Sequence, residues 1–237
     1  MLITSASASA SHPRPRRQRG GWLKLCGEIY SGFLPRIRRL AREFYRRDPE
    51  ALARELLGKL LVRRLGDRVV GGMIVETEAY LGADDPASRA YKGRLTKISR
   101  VMFEEGGTVL VYMVHGRWLL NIVAGPPGIP GAVLIRAVEP LIGIDVMAAN
   151  RGTSDVTRLC SGPGRLCEAM RIDGGLTGER VYDPSSPIAV FDFRSVGDEL
   201  VGRSGRIGVK RDLERPLRFY LRWSPFVSRH PSRLSSP

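Results

Sequence analysis

The residues with the greatest chemical potential lie in one segment, Met73–Tyr80, which reads Met-Ile-Val-Glu-Thr-Glu-Ala-Tyr. Because side chains alternate along a β-strand, a strand here would place Glu76, Glu78 and Tyr80 on one face, with the two carboxylates roughly 7 Å apart. Carboxylates within an apolar strand are costly unless they are paired or functional. The segment is therefore either an active-site strand or the polar face of an edge strand whose glutamates bond to arginines.

Cleavage of a bond at an anomeric carbon needs little more than such a strand supplies. One carboxylate activates water near the developing oxocarbenium charge, and many glycosidases add a second carboxylate as the acid for the leaving group. A leaving group that is already cationic, such as an alkylated purine, departs without a strong acid. Tyr80 and Tyr112 either grip a flat base between their ring faces or are ordinary half-buried tyrosines.

Regular patterns along the chain predict the elements that position these residues. Asp48-Pro49 is a typical helix start, and the helix continues through Ala51–Leu57 and ends at Gly58. Two further helices are predicted, Ile144–Asn150 and Arg165–Ile172. Strands are predicted at Lys59–Leu65, Val69–Tyr80, Thr108–His115, Trp118–Ala124, Ala132–Val138, Ile188–Phe193, Ile207–Lys210 and Leu217–Leu221. This order predicts an α+β (mixed α/β) fold, a single domain with a curved, mainly antiparallel sheet and surrounding helices.

The net charge of +14 lies at the two ends of the chain. Residues 1–47 hold 11 basic and 2 acidic residues, and residues 215–237 hold 5 arginines and no acid. Residues 48–214 hold 22 of each sign. Basic segments attract polyanions and gain affinity by displacing counterions, although 33 arginines against 5 lysines also fit an arginine-rich codon usage.

Composition also predicts the domain boundaries and limits the possible compartments. We predict a disordered or loosely attached basic extension over residues 1–39, a folded domain over 40–230 and a tail over 231–237. The Ser- and Arg-rich start resembles an organelle transit peptide, or reflects a misassigned start codon. The prokaryotic cytoplasm or nucleoid, a nucleus and an organelle thus stay open as locations. No run of 18 apolar residues predicts a membrane span.

The cysteines and histidines do not form a pattern that binds metal. The chain has three cysteines, none in a C-x-x-C motif, and three histidines that lie far apart. An odd number of cysteines without disulfide spacing suits a reducing compartment. Cys160 and Cys167 flank a Ser-Gly-Pro-Gly turn, and we interpret both as small buried apolar residues. A protein zinc site is not expected.

Several segments, in order, resemble the alkyladenine (3-methyladenine) DNA glycosylase family. The matching segments are Val75–Gly82, Asp85–Gly93, Met102–Phe103, Gly107–Tyr112, Val133–Pro140, Leu159–Cys167 and Pro216–Pro225. The resemblance covers roughly residues 40–228. It implies a monomeric, monofunctional enzyme that flips a damaged purine out of duplex DNA and hydrolyses its N-glycosidic bond. The lesion class is alkylated or deaminated purines: 3-methyladenine, 7-methylguanine, hypoxanthine and ethenoadenine. No metal, cofactor or lysine Schiff base is implied.

The resemblance also implies roles for individual residues. Glu78 would be the general base that deprotonates the attacking water, and Arg136 would help to hold that water and the DNA backbone. Tyr80 and Tyr112 would stack on the flipped base. Asn121 would crowd the purine 2-position and reject normal guanine, although the hairpin before it is one residue shorter than the family pattern.

Two positions depart from the family pattern. Arg89 stands where a histidine commonly contacts the flipped base, and its permanent charge should disfavour a cationic base. We therefore expect a preference for neutral lesions such as hypoxanthine. His115 stands where a tyrosine wedges into the gap left by the flipped nucleotide, so a weaker wedge is expected. In the basic loop after Tyr80, phosphate contacts are expected from Lys92, Arg94 and Lys97.

Two other functions stay open at this stage. One is a nucleic-acid-binding module of related fold without catalysis. The other is a hydrolase of small nucleosides or glycosides that uses Glu76 and Glu78 as its two carboxylates. Replacement of Glu78 by glutamine separates the first from an enzyme, and the salt dependence of activity separates the second from a DNA enzyme.

Overall fold

Within residues 37–211 and 214–228, which the computed structural model describes, the chain forms one eight-stranded sheet with helices packed around it. The strands are β1 Leu60–Leu65, β2 Arg68–Tyr80, β3 Val109–Val114, β4 Arg117–Val123, β5 Ala132–Ile142, β6 Ile188–Phe191, β7 Val201–Ser204 and β8 Arg218–Leu221. They follow the order β3-β4-β5-β2-β1-β6, and β8 pairs with both β2 and β7. All strand pairings are antiparallel. The predicted fold class is confirmed.

Short helices cover the sheet. They are α1 Pro49–Glu55, α2 Ile144–Arg151, α3 Val156–Leu159 and α4 Pro163–Ala169. The Asp48 carboxylate caps α1, because it accepts hydrogen bonds from the backbone N–H groups of Glu50 and Ala51, both at 3.0 Å. The predicted helix start at Asp48-Pro49 is therefore confirmed.

Strand β2 lies in the interior of the sheet and separates two environments. It pairs with β5 on one side and with β1 and β8 on the other, so the alternative of an edge strand is wrong. On one face the Thr77 hydroxyl donates to the carbonyl of Ala53 at 2.8 Å, which ties α1 to the sheet. The opposite face carries Glu76, Glu78 and Tyr80, as the period of two predicts.

One predicted strand is wrong. Residues Ile207–Lys210 form an irregular loop, and the strand that pairs with β8 is Val201–Ser204 instead. Gly208 has φ +79°, a left-handed conformation that interrupts an extended strand. The backbone N–H of Ile207 donates to a side chain of β2 and not to a neighbouring strand. Apolar and β-branched composition alone did not distinguish this loop from a strand.

The described residues set limits on other features. No helix among them is long and apolar enough to cross a membrane, and no three His, Cys, Asp or Glu side chains group to hold a metal ion. Cys160 and Cys167 lie in the core, where burial raises the pKa of each thiol to about 12. The basic extension predicted over 1–39 and the tail over 231–237 lie almost wholly outside the described residues.

Candidate active site

Glu78 lies near the carboxyl end of β2 with its side chain fully buried. Its Oε2 accepts a hydrogen bond from the Tyr80 hydroxyl at 3.0 Å. Its Oε1 accepts one from the backbone N–H of Ile207 at 2.7 Å and lies 3.1 Å from Nη1 of Arg136. These three partners hold the carboxyl group in one orientation.

The surroundings of Glu78 raise its pKa. Burial is the largest cause, and the neighbouring Glu76 adds to it. Arg136, the N–H of Ile207 and the hydroxyl of Tyr80 oppose the rise without cancelling it. A carboxylate with a raised pKa is a stronger proton acceptor than an exposed one, and a general base functions best when its pKa approaches the working pH. A raised pKa is what the predicted role of Glu78 as a general base requires.

Glu76, two residues earlier, is saturated by cationic and polar partners. Its Oε1 accepts from Nε of Arg136 and Nε of Arg218, both at 2.8 Å, and from the hydroxyl of Ser228 at 2.9 Å. Its Oε2 accepts from the backbone N–H of Ser228 at 2.6 Å. Burial alone would raise the pKa of Glu76, but the two arginines and Ser228 outweigh it, so the pKa is lowered. Glu76 is a permanent counter-ion that orients Arg136.

A cavity of about 560 Å³ lies beside the partners of Glu78. Tyr80, Arg136 and Ile207, which all contact the Glu78 carboxyl, form part of its wall. The aromatic and apolar part of the wall includes Tyr80, Tyr112, Val114, Leu119 and Leu134. A pocket of this volume, with an apolar lining and a few convergent polar groups, accommodates a planar heterocycle.

The two tyrosines of the cavity have their polar ends engaged. Burial raises the pKa of both, so both remain protonated at neutral pH. Tyr80 donates to Glu78, and the guanidinium of Arg206 lies 4.7 Å from its ring centre. The guanidinium of Arg89 lies 5.2 Å from the ring centre of Tyr112. The structure thus brings Tyr80, Arg89 and Tyr112 to the same cavity.

His115 and Asn121 have different positions relative to this cavity. His115 occupies the turn between β3 and β4 with φ +47°, is exposed, and lines the cavity. Asn121 is only 2% exposed, and its amide donates to the carbonyls of Leu110 and Leu119, both at 3.3 Å. The cavity wall contains Leu119 and Leu134 and does not include Asn121. The role of Asn121 stays a prediction without support from its placement.

The basic loop residues are exposed and differ in position. Arg94 lines the main cavity. Arg94 and Lys97 also line a neighbouring cavity of about 230 Å³, together with Arg89. Lys92 lies over the ring of Tyr91, with Nζ 5.5 Å from the ring centre, and lines neither cavity. Their predicted contacts with phosphate stay predictions.

Several residues of the site were not found by sequence reasoning. The main ones are Asp85, Ile207, Arg206, Arg218 and Ser228. A second groove of about 500 Å³ was also missed; it shares Arg136, Pro163 and Ile207 with the main cavity and contains Arg117, Arg151 and Arg165. The signals in the sequence were the matching segments Asp85–Gly93, Leu159–Cys167 and Pro216–Pro225, which contain Asp85, the Ser161–Gly164 turn and Arg218. These residues converge from distant segments, so spacing does not reveal them.

Comparison with known proteins identifies relatives across most of the chain. The profile of the family described as methylpurine-DNA glycosylase (MPG) matches residues 43–225. A protein of Aeropyrum pernix named "Putative 3-methyladenine DNA glycosylase" is 44% identical over 196 residues, which are 81% of this chain and 94% of the relative. Proteins with the same name from Koribacter versatilis and Chlorobaculum parvum are 40% and 42% identical, over 82% and 85% of this chain and 95% of each relative.

Proposed function

Since the chain belongs to the methylpurine-DNA glycosylase family, we propose that it is a monofunctional DNA glycosylase of base excision repair. It extrudes one damaged purine from duplex DNA, hydrolyses the N-glycosidic bond and leaves an abasic site. The observation that carries this proposal is the buried carboxylate of Glu78, whose three partners all form the wall of a base-sized cavity with two tyrosines.

The proposed reaction requires one proton acceptor. Glu78 accepts a proton from a water molecule whose oxygen forms a bond to C1′ of the extruded nucleotide. The bond from C1′ to the purine nitrogen breaks, and its electron pair leaves with the base, so that a purine that is cationic in the nucleotide departs as the neutral base. A purine that is neutral in the nucleotide departs as an anion and takes up a proton from water. Tyr80 and Tyr112 hold the base by stacking, and the charge of Arg136 steadies the ionised form of Glu78. The products are the free purine and an abasic sugar.

The state of Glu76 argues against the alternative of a two-carboxylate hydrolase. A general acid needs a raised pKa and a proton to donate. Glu76 has a lowered pKa and accepts hydrogen bonds from Arg136, Arg218 and Ser228. It is therefore unsuited to protonate a leaving group. Glu78 does not line the cavity itself, but its partners Tyr80, Arg136 and Ile207 do, and its raised pKa suits a proton acceptor.

Two cationic surfaces beside the cavity are suited to the DNA backbone. The groove that contains Arg117, Arg151 and Arg165 adjoins the cavity through Arg136. The loop with Arg94 and Lys97 also adjoins the cavity, and Arg89 lines both this cavity and the smaller one next to it. Contacts with phosphates on either side of the extruded nucleotide would offset the few kcal/mol that unstacking costs. We propose that the enzyme acts as a monomer on such a duplex.

We further propose that neutral lesions are preferred over cationic ones. Among the described residues that line the cavity none is acidic, whereas five are basic: Arg89, Arg94, Arg136, Lys210 and Arg211, of which Arg136 is paired with Glu76 and Glu78. A cationic base such as 3-methyladenine or 7-methylguanine in its nucleotide would meet these charges at close range. Hypoxanthine and ethenoadenine carry no net charge and escape this repulsion.

The proposal is tested with duplex oligonucleotides that carry one hypoxanthine, ethenoadenine or 7-methylguanine, followed by alkaline cleavage at abasic sites. We expect strand cleavage with the wild-type protein. Glu78→Gln should reduce base release by more than a hundredfold, as expected for loss of a general base, while binding of the same duplex changes little. Glu105→Gln, at a glutamate paired with Arg46 outside the cavity, is the matched control and should retain activity.

The outcomes separate the three functions that the sequence left open. Binding without base release by the wild-type protein would indicate a non-catalytic module. Release from free nucleosides that is indifferent to salt would indicate a small-molecule hydrolase. Full activity of Glu78→Gln would remove the assignment of the general base.

A further inference from the structure

A fully buried ion pair lies directly behind the site and is not used in the proposed reaction. Nη1 and Nη2 of Arg206 donate to the two carboxylate oxygens of Asp85, at 2.5 and 2.8 Å. Nη1 also donates to the carbonyl of Ala79 at 2.9 Å. Both side chains of the pair are 0% exposed. Such a bidentate pair holds both groups more firmly than a single hydrogen bond, because two parallel hydrogen bonds fix the relative orientation of guanidinium and carboxylate.

This ion pair connects two segments that are far apart in the sequence. Asp85 accepts hydrogen bonds from the backbone N–H groups of Leu81 and Ala87, at 3.0 and 2.9 Å, so it shapes the turn that follows Tyr80. Arg206 immediately precedes Ile207, whose N–H donates to Glu78. The guanidinium thus joins the turn after the base-binding strand to the loop that completes the site.

Arg206 also touches one of the two tyrosines of the cavity. Its guanidinium carbon lies 4.7 Å from the ring centre of Tyr80, on the ring whose hydroxyl donates to Glu78. Loop residues Ile207–Arg211 form one part of the cavity wall. A change at Arg206 would therefore act on Glu78 by two routes, through the Tyr80 ring and through the Ile207 N–H.

We infer that Arg206, clamped by Asp85, is a positioning residue of this enzyme, which holds Tyr80 and the Ile207 N–H against the Glu78 carboxylate. The inference rests on the proposed function of Glu78 as the general base. Arg206 has no direct contact with the reacting atoms in this scheme. It keeps two of the three partners of Glu78 in place. This role requires a side chain with a rigid fork of hydrogen-bond donors.

The charged and titratable groups around Glu78 determine how this clamp can be detected. They are Glu76 and Tyr80 on β2, Tyr112 on β3, Arg136 on β5, Arg218 on β8 and Arg206 on the loop. The Ile207 N–H and the Tyr80 hydroxyl both lower the pKa of Glu78, against the larger effect of burial. Loosening either partner should therefore raise the pKa of Glu78.

Two variants distinguish positioning from simple charge. Arg206→Lys keeps the positive charge but lacks the planar fork that pairs with both carboxylate oxygens of Asp85. Asp85→Asn removes a negative charge, which by electrostatics alone would lower the pKa of Glu78, and at the same time breaks the clamp. Positioning predicts a rise in both variants. Because each variant weakens hydrogen bonds that stabilise the ionised carboxylate, we expect a rise of about one pH unit, which is a tenfold change in the acid dissociation constant.

The pKa of Glu78 is measured without turnover by NMR titration of protein with ¹³C-labelled glutamate side chains, with the Glu78 signal assigned by Glu78→Gln. In the pH profile of single-turnover base release, the acid limb should move to higher pH by the same amount. At pH values below that limb, base release should be about tenfold slower than in the wild-type protein. Lys59→Met is the matched control: it removes another buried cation, paired with Asp192 at 2.6 Å. It should lower the melting temperature and leave the pKa of Glu78 in place.

The outcomes are separable. A raised pKa of Glu78 in Arg206→Lys and Asp85→Asn, with none in Lys59→Met, supports the clamp. An unchanged or lowered pKa in both folded clamp variants overturns it, whatever their activity. If one variant does not fold, the other decides by the same titration. Absence of base release by the wild-type protein would contradict the proposed function, and the titration would still report on the clamp.

Discussion

Glu76 and Glu78 lie two residues apart on one strand, yet their carboxyl groups differ in chemistry. Both are fully buried and both contact Arg136. Glu76 has Arg218 and the Ser228 N–H in addition, so its pKa is lowered in spite of burial. Glu78 has one arginine, one N–H and one hydroxyl, and burial prevails. The one additional guanidinium at Glu76 accounts for the opposite directions in which the two pKa values move.

This difference predicts opposite effects on stability for two identical substitutions. Because the pKa of Glu76 is lowered in the folded protein, its carboxylate stabilises the fold fully at pH values above its ordinary pKa of 4.5. This stabilisation is lost as the pH falls through the pKa that Glu76 has in the folded protein. Glu76→Gln should therefore reduce the free energy of unfolding at pH 7 by about 3 kcal/mol, because buried arginines lose their counter-ion. Its unfolding should depend less on pH below 4.5 than that of the wild-type protein.

The substitution Glu78→Gln should have no such cost. A raised pKa means that ionised Glu78 disfavours the fold at pH values above its folded pKa. Glutamine removes that penalty, so the free energy of unfolding at pH 7 should stay constant or increase. Urea denaturation of both variants at pH 7 and pH 4 measures this. A larger loss of stability in Glu78→Gln than in Glu76→Gln would contradict the assignment of their roles.

At the same scale, Arg89 should govern the choice of lesion. Its guanidinium faces the Tyr112 ring at the cavity, where its charge opposes a cationic base. Arg89→His should improve release of 7-methylguanine relative to hypoxanthine by about tenfold, which corresponds to roughly 1.4 kcal/mol of repulsion removed. Single-turnover rate constants on the two duplexes give the ratio. Arg100→His, at an exposed arginine outside the cavity lining, is the control, and a ratio that moves equally in both variants would refute the effect.

At the scale of elements, the loop after β7 has more influence on the site than any helix. Residues 205–211 supply the Ile207 N–H, the Arg206 clamp and one cavity wall. Gly208 gives this loop a left-handed residue at φ +79°, and no atom lies within 4 Å of a Cβ built there. Any effect of a methyl group at this position must therefore come from the backbone and not from collision.

We expect Gly208→Ala to slow base release about tenfold, because alanine at this φ costs about 1 kcal/mol or more and shifts the loop. Gly66→Ala is a matched control, since Gly66 also has positive φ (+64°) and open space, in the turn between β1 and β2. Both variants should lose similar thermal stability in differential scanning calorimetry. Equal rates of base release by the two variants would show that the loop tolerates the strain without effect on the site.

Strands and loops also differ in how well the sequence predicted them. The alternation of apolar and polar residues predicted β2 and the common face of Glu76, Glu78 and Tyr80, because strand geometry is local. The segment Ile207–Lys210 has a strand-like composition and was predicted wrongly, since its backbone is held by β2 and not by a neighbouring strand. Local preference determines an element only where no distant partner competes.

At the scale of the whole molecule, basic side chains line both the cavity and the groove that adjoins it. Arg165 is exposed in the groove that adjoins Arg136. If it contacts one phosphate, Arg165→Ala should lower the slope of log affinity against log salt by about 0.9. Arg203→Ala, at an exposed arginine paired with Glu50 and outside both linings, should keep the wild-type slope. The slope is measured by fluorescence anisotropy of a labelled duplex over an approximately fourfold range of salt, from about 50 to about 200 mM.

The sequence by itself determined the fold class, the family and the strand that carries Glu78, because these depend on local alternation and on motifs in a defined order. The family resemblance and the α+β class are confirmed. Only the tertiary structure decided which partners surround each of the two carboxylates. That answer depends on Arg218, Ser228 and Ile207, which meet β2 from 129 to 152 residues away in the chain. The pKa of a buried carboxylate depends on such contacts in space, and the spacing of residues in the sequence does not encode them.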